Sequence, residues 1–295
     1  MRLKLVWNLT NKCPFKCSIC AASANMREEK MINKNKVLNS ITSIGKSNIC
    51  IDFSGGAPLT NKEDIDLIKK ASKAIGKENI SISTTGLSLE KFSDEEILDL
   101  SRSYDLTYDF PIKYNELDKR DKRYNCKNFE QGKRIKNLGV ALNIFIPLQN
   151  LEDYIIDELV KDLLELNPNS ISIIRLMPVG SLSLNDLVKF DEVKLYNKLK
   201  EKMMSNNYKG KFKATCSLRT ILNENKGCNM VDEKYGVDHL GNLYSCIWAS
   251  DILVNKNPFK IGNLLEHDLI ELISAKPMPL NKNKCAVYNY IENKD

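Results

Sequence analysis

The chain has 295 residues, enough to bury a sizeable core, and its 44 basic against 38 acidic side chains leave a net charge of +6. Those charges alternate in sign along stretches of helical spacing, as in Glu63-Asp64-Ile65-Asp66-Leu67-Ile68-Lys69-Lys70, which reads as a solvated lysine-rich surface and excludes a nucleic-acid partner from the expectations. The amino terminus lacks the apolar core of a signal peptide, and no apolar run approaches the roughly 18 residues of a membrane helix, so a cytoplasmic protein with no membrane partner is expected. In that reducing compartment nine cysteines are poor disulfide material, and clustered ones are candidate metal ligands.

In chain order, residues 3–9 are an apolar run with Val and Trp, read as a buried strand that ends where Cys13, Cys17 and Cys20 begin. A helix is expected over 33–44. Residues 49–53 form a second strand, stopped by Ser54-Gly55-Gly56-Ala57-Pro58, and Thr60-Asn61-Lys62-Glu63 reads as a capping box opening the next helix. The unit repeats with a strand over 79–83, a turn at Thr84-Thr85-Gly86, and a helix capped by Ser93-Asp94-Glu95-Glu96. A fourth strand over 105–110 precedes a long polar connection, a candidate substrate or cofactor loop, before a helix over 129–138. A strand over 139–148, an amphipathic helix over 151–166 halted by Asn167-Pro168-Asn169, a strand over 170–177 and a helix over 192–204 complete six βα units. That order predicts an α/β fold, a parallel sheet curled into a partial (β/α)6 TIM-like barrel with its chemistry at the carboxyl ends of the strands.

After residue 207 the pattern changes to short strands and turns, with a hairpin expected from Lys234 through His239-Leu240-Gly241-Asn242 to Cys246. The expected division is therefore 1–206 for the barrel and 207–295 for a small α+β unit holding Cys216, Cys228, Cys246 and Cys285. Of the remaining cysteines, Cys50 reads as a small strand hydrophobe.

Three thiols at C-x3-C-x2-C spacing leave a metal site one ligand short. Thiolates favour zinc or iron–sulfur clusters; a structural zinc would want a fourth local ligand, whereas a four-iron cluster held at three corners keeps one iron open. Here the sequence resembles the radical S-adenosylmethionine (SAM) enzymes, whose C-x3-C-x-φ-C motif is matched by Cys13, Cys17, Ile19 as the apolar φ residue, and Cys20. The resemblance implies a [4Fe-4S] cluster whose open iron holds SAM, reductive cleavage to a 5′-deoxyadenosyl radical, and abstraction of a substrate hydrogen, with an electron donor such as flavodoxin or ferredoxin. It also implies that Gly55, Gly56, Ala57 and Pro58 occupy the place of the family's Gly-Gly-Glu-Pro segment, with Ala57 where Glu is usual, so that backbone atoms carry the contact with SAM.

The same resemblance marks Ser83 and Thr85 as polar groups offered to SAM or as strand-end caps, and Arg120 as a partner for the SAM carboxylate, with Arg123 competing. Arg175 stands in the apolar strand Ile174-Arg175-Leu176, where a charge must be paired or face the barrel mouth. Asp109 is expected to orient ribose or substrate, act as a base, or cap a turn. Cys126 is a candidate hydrogen-atom donor or a surface thiol.

Cys228, Gly241 and Cys246 resemble the C-x9–15-G-x4-C half-motif of the family's SPASM and twitch extensions, and Ile261-Gly262-Asn263-Leu264 resembles the segment that follows it. With Cys216 and Cys285 the resemblance implies a twitch-like unit with a second, auxiliary [4Fe-4S] cluster, a four-thiolate zinc site being the alternative. The expected substrate is a ribosomally made peptide undergoing crosslinking or epimerisation, or else a small molecule such as a sugar or nucleotide. A non-enzymatic iron–sulfur or zinc protein is the reading from a different class.

Overall fold

The computed structural model describes residues 2–25, 30–108, 123–222, 228, 234–252, 257–274 and 284–293, with Arg123, Tyr124 and Cys216 described by backbone only. The strands are β1 Leu3–Thr10, β2 Ile49–Gly55, β3 Ile80–Thr84, β4 Ser103–Thr107, β5 Ala141–Leu148, β6 Ser170–Arg175, β7 Lys211–Thr215, β8 Lys234–Val237, β9 Asn242–Tyr244 and β10 Lys260–Asn263. The helices are α1 Lys34–Thr42, α2 Lys62–Ile75, α3 Gly86–Leu89, α4 Asp94–Leu100, α5 Arg123–Asn137, α6 Asp153–Leu166, α7 Glu192–Ser205, α8 Cys216–Ile221, α9 Leu269–Ser274 and α10 Ala286–Glu292.

All ten strands belong to one sheet in the order β10-β9-β8-β1-β2-β3-β4-β5-β6-β7. Strands β1 to β7 pair in parallel in sequence order, as successive βα units require. β7 follows residue 207, so the parallel run continues one strand past the expected division. β8 then returns to the opposite edge and pairs in parallel with β1, and the β8–β9 hairpin and β10 extend the sheet antiparallel.

Strand alternation sorts the side chains into two environments. Leu5, Trp7, Leu9, Ile51, Phe53 and Ile144 point outward into the layer shared with the helices, all essentially fully buried, and the Trp7 and Phe53 rings lie 5.7 Å apart. Each such side chain contributes roughly 1.5–3 kcal/mol. The inward face mixes polar side chains such as Asn8, Asp52, Ser83, Asp105 and Ser172 with apolar ones such as Val6, Phe145 and Ile174, and this sets the character of the site.

Local chemistry explains most of the element ends. Ser93 and Glu96 form the expected reciprocal capping box of α4, and Asn167, in the left-handed region at φ 44°, closes α6 where the stop was expected. Helix α2 departs from expectation. Its cap is Asn61, whose side-chain oxygen accepts the Asp64 N–H at 2.8 Å, while Thr60 turns its hydroxyl back to the Ala57 carbonyl at 2.7 Å. The expected turn at 84–86 winds on into the short helix α3, and α5 begins at Arg123, six residues ahead of the expected start at 129.

Candidate functional site

The thiol loop leaves β1 and is fixed from two sides. Cys13 N–H donates to the Asn25 carbonyl at 3.0 Å and Asn25 N–H to the Asn11 carbonyl at 2.9 Å, which folds the loop back on itself. From β2, Gly56 N–H donates to the Thr10 carbonyl at 2.7 Å and Ala57 N–H to the Lys12 carbonyl at 2.8 Å. A Cβ on Gly56 would stand 2.2 Å from the Lys12 oxygen, and Gly55 has φ +111°. The two glycines are thus required by the close approach of the loop's own backbone. From the far side, Ser181 N–H donates to the Cys20 carbonyl at 2.9 Å, beside Gly180 at φ +67°. Loops after the first and sixth strands therefore meet, which curls the open sheet around a lumen.

Cys13 is buried and Cys17 and Cys20 are half-buried, packed with Phe15, Ala24 and Ala57. Burial pushes the Cys13 thiol up to about 11, against the lowering effect of the Phe15 backbone, and burial likewise raises Cys20, whose sulfur accepts the Ala24 N–H at 3.4 Å. Such thiols stay protonated until a metal displaces the proton. Among the described residues no three His, Cys, Asp or Glu side chains stand in a ready metal cage. The donor set itself, three soft sulfurs on one loop against a cavity, suits a cluster held at three corners.

Below the loop lies a cavity of about 390 Å³, reached by inward side chains from strands β1 to β8. Its size falls within the range of small-molecule sites. Of the residues expected from sequence, Cys13, Cys17, Ile19, Cys20, Gly55, Gly56, Ser83, Thr85 and Arg175 line it, whereas Ala57 and Pro58 are buried behind the turn. Ser83 Oγ donates to Asp52 Oδ1 at 3.1 Å, and Thr85 Oγ1 accepts the Ser88 N–H at 3.4 Å as the cap of α3. The hydroxyl at this strand end without a hydrogen-bond partner is that of Thr84.

Arg175 is both paired and placed at the cavity. Its Nε lies 2.7 Å from Glu192 Oε2 and its guanidinium carbon 3.7 Å from the centre of the Tyr288 ring, while the side chain borders the cavity. It thereby joins the rim of the barrel to α10. Cys126 is exposed on α5, with its sulfur 3.4 Å from Glu130 Oε1 and away from the cavity lining. Asp109 and Arg120 lie outside the described residues.

Sequence reasoning passed over Asp52 and Asp105, both buried and both in the cavity wall. Asn143 Nδ2 donates to Asp105 Oδ1 at 2.6 Å, and Ser170 Oγ to Asn143 Oδ1 at 2.7 Å, along one row of paired strand positions. Burial, then the nearby Asp52 carboxylate, pushes Asp105 up to about 7; burial also raises Asp52 against the pull of Lys4 and Lys234. The signal was available, because Ile51-Asp52-Phe53 and Tyr104-Asp105-Leu106 each set a charge inside an apolar strand, the same cue that singled out Arg175.

The carboxyl-terminal cysteines converge in part. Cys228, Cys246 and Cys285 pack against one apolar cluster that includes Met177, Val179 and Tyr288, and Ala21 of the thiol loop touches the same cluster. The expected hairpin turns on Asp238, whose Oδ1 accepts the Leu240 and Asn242 N–H groups, each at 2.9 Å, and on Gly241 at φ +79°. The Gly262-Asn263-Leu264 segment packs back on that turn: Leu264 N–H donates to the Gly241 carbonyl at 2.8 Å and Asn263 Nδ2 to Asn242 Oδ1 at 2.8 Å. Cys216 opens α8, its side chain outside the described set.

A curled parallel sheet whose first strand hands three thiols to a cavity at the carboxyl ends defines an α/β barrel protein built around an open thiolate loop. Residues 7–148 match the model of the Radical SAM superfamily. The chain is similar to the GTP 3',8-cyclase of Alkaliphilus metalliredigens (strain QYMF), at 26% identity over 184 residues, 60% of this chain and 57% of that one. The GTP 3',8-cyclase of Clostridium perfringens (strain SM101 / Type A) is also 26% identical, over 186 residues, with 59% and 55% covered. The match thus spans little more than half the length of these curated relatives.

Among solved structures, Streptococcus suis SuiB bound to S-adenosylmethionine superposes with a TM-score of 0.72 at 20% identity, covering 92% of this chain and 65% of that one. Native anSMEcpe with bound AdoMet and Cp18Cys peptide gives 0.66 at 15% identity, covering 96% and 81%. At these identities the shared property is the fold. Among the described residues no helix is long and apolar enough to cross a membrane.

Proposed function

We propose that this protein is a radical SAM enzyme that abstracts a hydrogen atom from a peptide substrate, in crosslinking or epimerisation. The observation that carries the reading is the thiol loop itself, latched by backbone hydrogen bonds to the turns after β2 and β6 and lining the cavity. Cys13, Cys17 and Cys20 would hold the [4Fe-4S] cluster, which when bound supplies the electron that cleaves SAM. Gly55 and Gly56 keep the loop in place, Thr84 offers a hydroxyl to the bound molecule, and Arg175 borders the rim. Ala57 and Leu87 pack beside the thiols and keep that side of the loop dry.

For the second half of the chain we favour an auxiliary cluster in a unit over 207–295, held by Cys216, Cys228, Cys246 and Cys285. The shared packing of three of these cysteines supports it. A peptide substrate is favoured by solved neighbours of the same fold, SuiB bound to precursor peptide SuiA and anSMEcpe with the Cp18Cys peptide. A second reading, a small-molecule substrate, is favoured by the cavity of about 390 Å³ with buried carboxylates in its wall and by the GTP 3',8-cyclase relatives.

The test is anaerobic reconstitution with iron and sulfide, reduction, and measurement of 5′-deoxyadenosine. Cleavage by the wild-type chain and none by the variant with Cys13, Cys17 and Cys20 changed to Ala is the expected result. Intact SAM under reduction that drives a known radical SAM enzyme would overturn the reading. Deuterium transfer into 5′-deoxyadenosine from a labelled peptide, or instead from a labelled sugar or nucleotide, separates the two substrate classes.

A further inference from the structure

Barrels of parallel strands are ordinarily filled by branched apolar side chains, yet the lumen below the thiol loop carries Asp52, Asp105, Thr84 and Ser172 among its apolar lining. Buried polar groups without partners cost free energy until something satisfies them. Ser172 Oγ on β6, fully buried, and Thr84 Oγ1, 6% exposed, have no hydrogen-bond partner and both border the cavity. Asp52 and Asp105 border it too, and the side chains that hydrogen-bond to them are neutral: Ser83 and Ser81 for Asp52 and Asn143 for Asp105. Ser172 lies on the neighbouring strand row toward the mouth, paired with Phe145 and Lys213, so hydroxyl and carboxylates face one space.

The charged groups facing these carboxylates are lysines and each other. Lys4 and Lys234 act on Asp52; Asp52, Lys4 and Lys213 act on Asp105. Lys4, Lys213 and Lys234 line the same cavity, Lys4 and Lys213 with exposed side chains, and among the described residues neither aspartate stands within ion-pair distance of a lysine. Burial, joined for Asp105 by repulsion from the Asp52 carboxylate, outweighs them, since both carboxyls titrate upward. The two carboxylates thus feel these lysines only at a distance, and neither is held in an ion pair among the described residues.

We propose that the lower lumen is a binding subsite for a protonated primary amine, received by the carboxylates of Asp52 and Asp105 with the Ser172 hydroxyl as a further acceptor. An ammonium carries one charge and three donors, which matches two carboxylates and one hydroxyl. Guanidinium, broad and planar, needs a fork of coplanar acceptors that a curved wall of alternating strand positions does not present. The inference rests on the reading that the cavity is where substrate enters. The amine belongs either to a lysyl side chain of a peptide or to an amino-bearing small molecule, and the experiment separates these sources.

The test is calorimetric titration of the full reconstituted chain at pH 7.5 with Nα-acetyl-lysine amide and with 6-amino-6-deoxyglucose, against their uncharged counterparts Nα-acetyl-norleucine amide and glucose. At least one amine is expected to bind, its uncharged counterpart roughly tenfold or more weaker, with the preferred probe naming the source. Asp52→Asn, Asp105→Asn and Ser172→Ala should each weaken the amine while leaving the circular dichroism unchanged. Where an aspartate variant loses native structure, Ser172→Ala, which deletes a single oxygen, carries the test. Equal binding of charged and uncharged probes, no binding of either amine, or undiminished binding by the folded variants would overturn the proposal. SAM cleavage measured on the same wild-type sample keeps the outcomes apart: amine binding without cleavage refutes the enzymatic reading alone, and cleavage without amine binding refutes the subsite alone.

Discussion

Changing Asp105 to Asn isolates the cost of holding a carboxyl inside the lumen. In the folded chain this group titrates at about 7 against an ordinary 3.8, with burial the first cause and the Asp52 carboxylate the second. Between about pH 4 and pH 7 the folded chain retains a proton that the unfolded chain has released, so its contribution to stability falls as pH rises through that window. A rise of this size is worth roughly 4 kcal/mol above pH 7 and roughly 1–2 kcal/mol at pH 5. Asparagine keeps an oxygen to accept the Asn143 side-chain N–H and cannot ionise. The unfolding free energy of D105N, taken relative to wild type, should therefore increase by roughly 2–3 kcal/mol from pH 5 to pH 8. Urea denaturation at both pH values, on metal-free protein under reducing conditions, reads this directly. A difference between the two chains that does not change with pH would refute the reasoning, because the carboxyl would then titrate normally in the folded state.

Gly56→Ala should cost roughly 1–3 kcal/mol and lower the iron retained after reconstitution, because the new methyl would meet the Lys12 carbonyl at 2.2 Å; thermal midpoint and iron content check it together. Arg175→Ala removes the Glu192 ion pair and the stacked Tyr288 face, so α10 should become more sensitive to limited proteolysis, with roughly 1–3 kcal/mol lost in denaturant titration. Asn128→Ala should cost a similar amount, since this buried amide accepts the Gly86 N–H at 2.6 Å and donates to the Thr107 carbonyl at 2.5 Å, tying three elements together. Replacing Cys228, Cys246 and Cys285 by Ala should reduce iron from about eight to about four per chain; unchanged iron would remove the auxiliary cluster, and bound zinc in the wild-type protein would replace it with the alternative.

The barrel was legible because each strand announced itself by an apolar run and each helix by its cap, as at Ser93 and Asn167, and because the thiol spacing sits directly behind the first strand. What escaped was long-range. No local pattern tells that residues 234–237 return to pair beside β1, since that partner is more than two hundred residues away and the strand is four residues long. Gly55-Gly56 was read as a cradle for a ligand; that the cysteine loop also presses on it, a contact between segments more than forty residues apart, has no local signal. Asp52 and Asp105 were missed because alternation was used to find strands and was not followed round to ask what the inward face carries.

The contact between the Cys20 carbonyl and Ser181 has a mechanical consequence. Strand pairing ends at β7, so among the described residues the ring of the barrel is completed at its mouth by loop backbone, with no ladder down the flank. A clasp at the top and an unstitched side mean that the wall can part by small rotations of β7 while the three sulfurs keep their spacing.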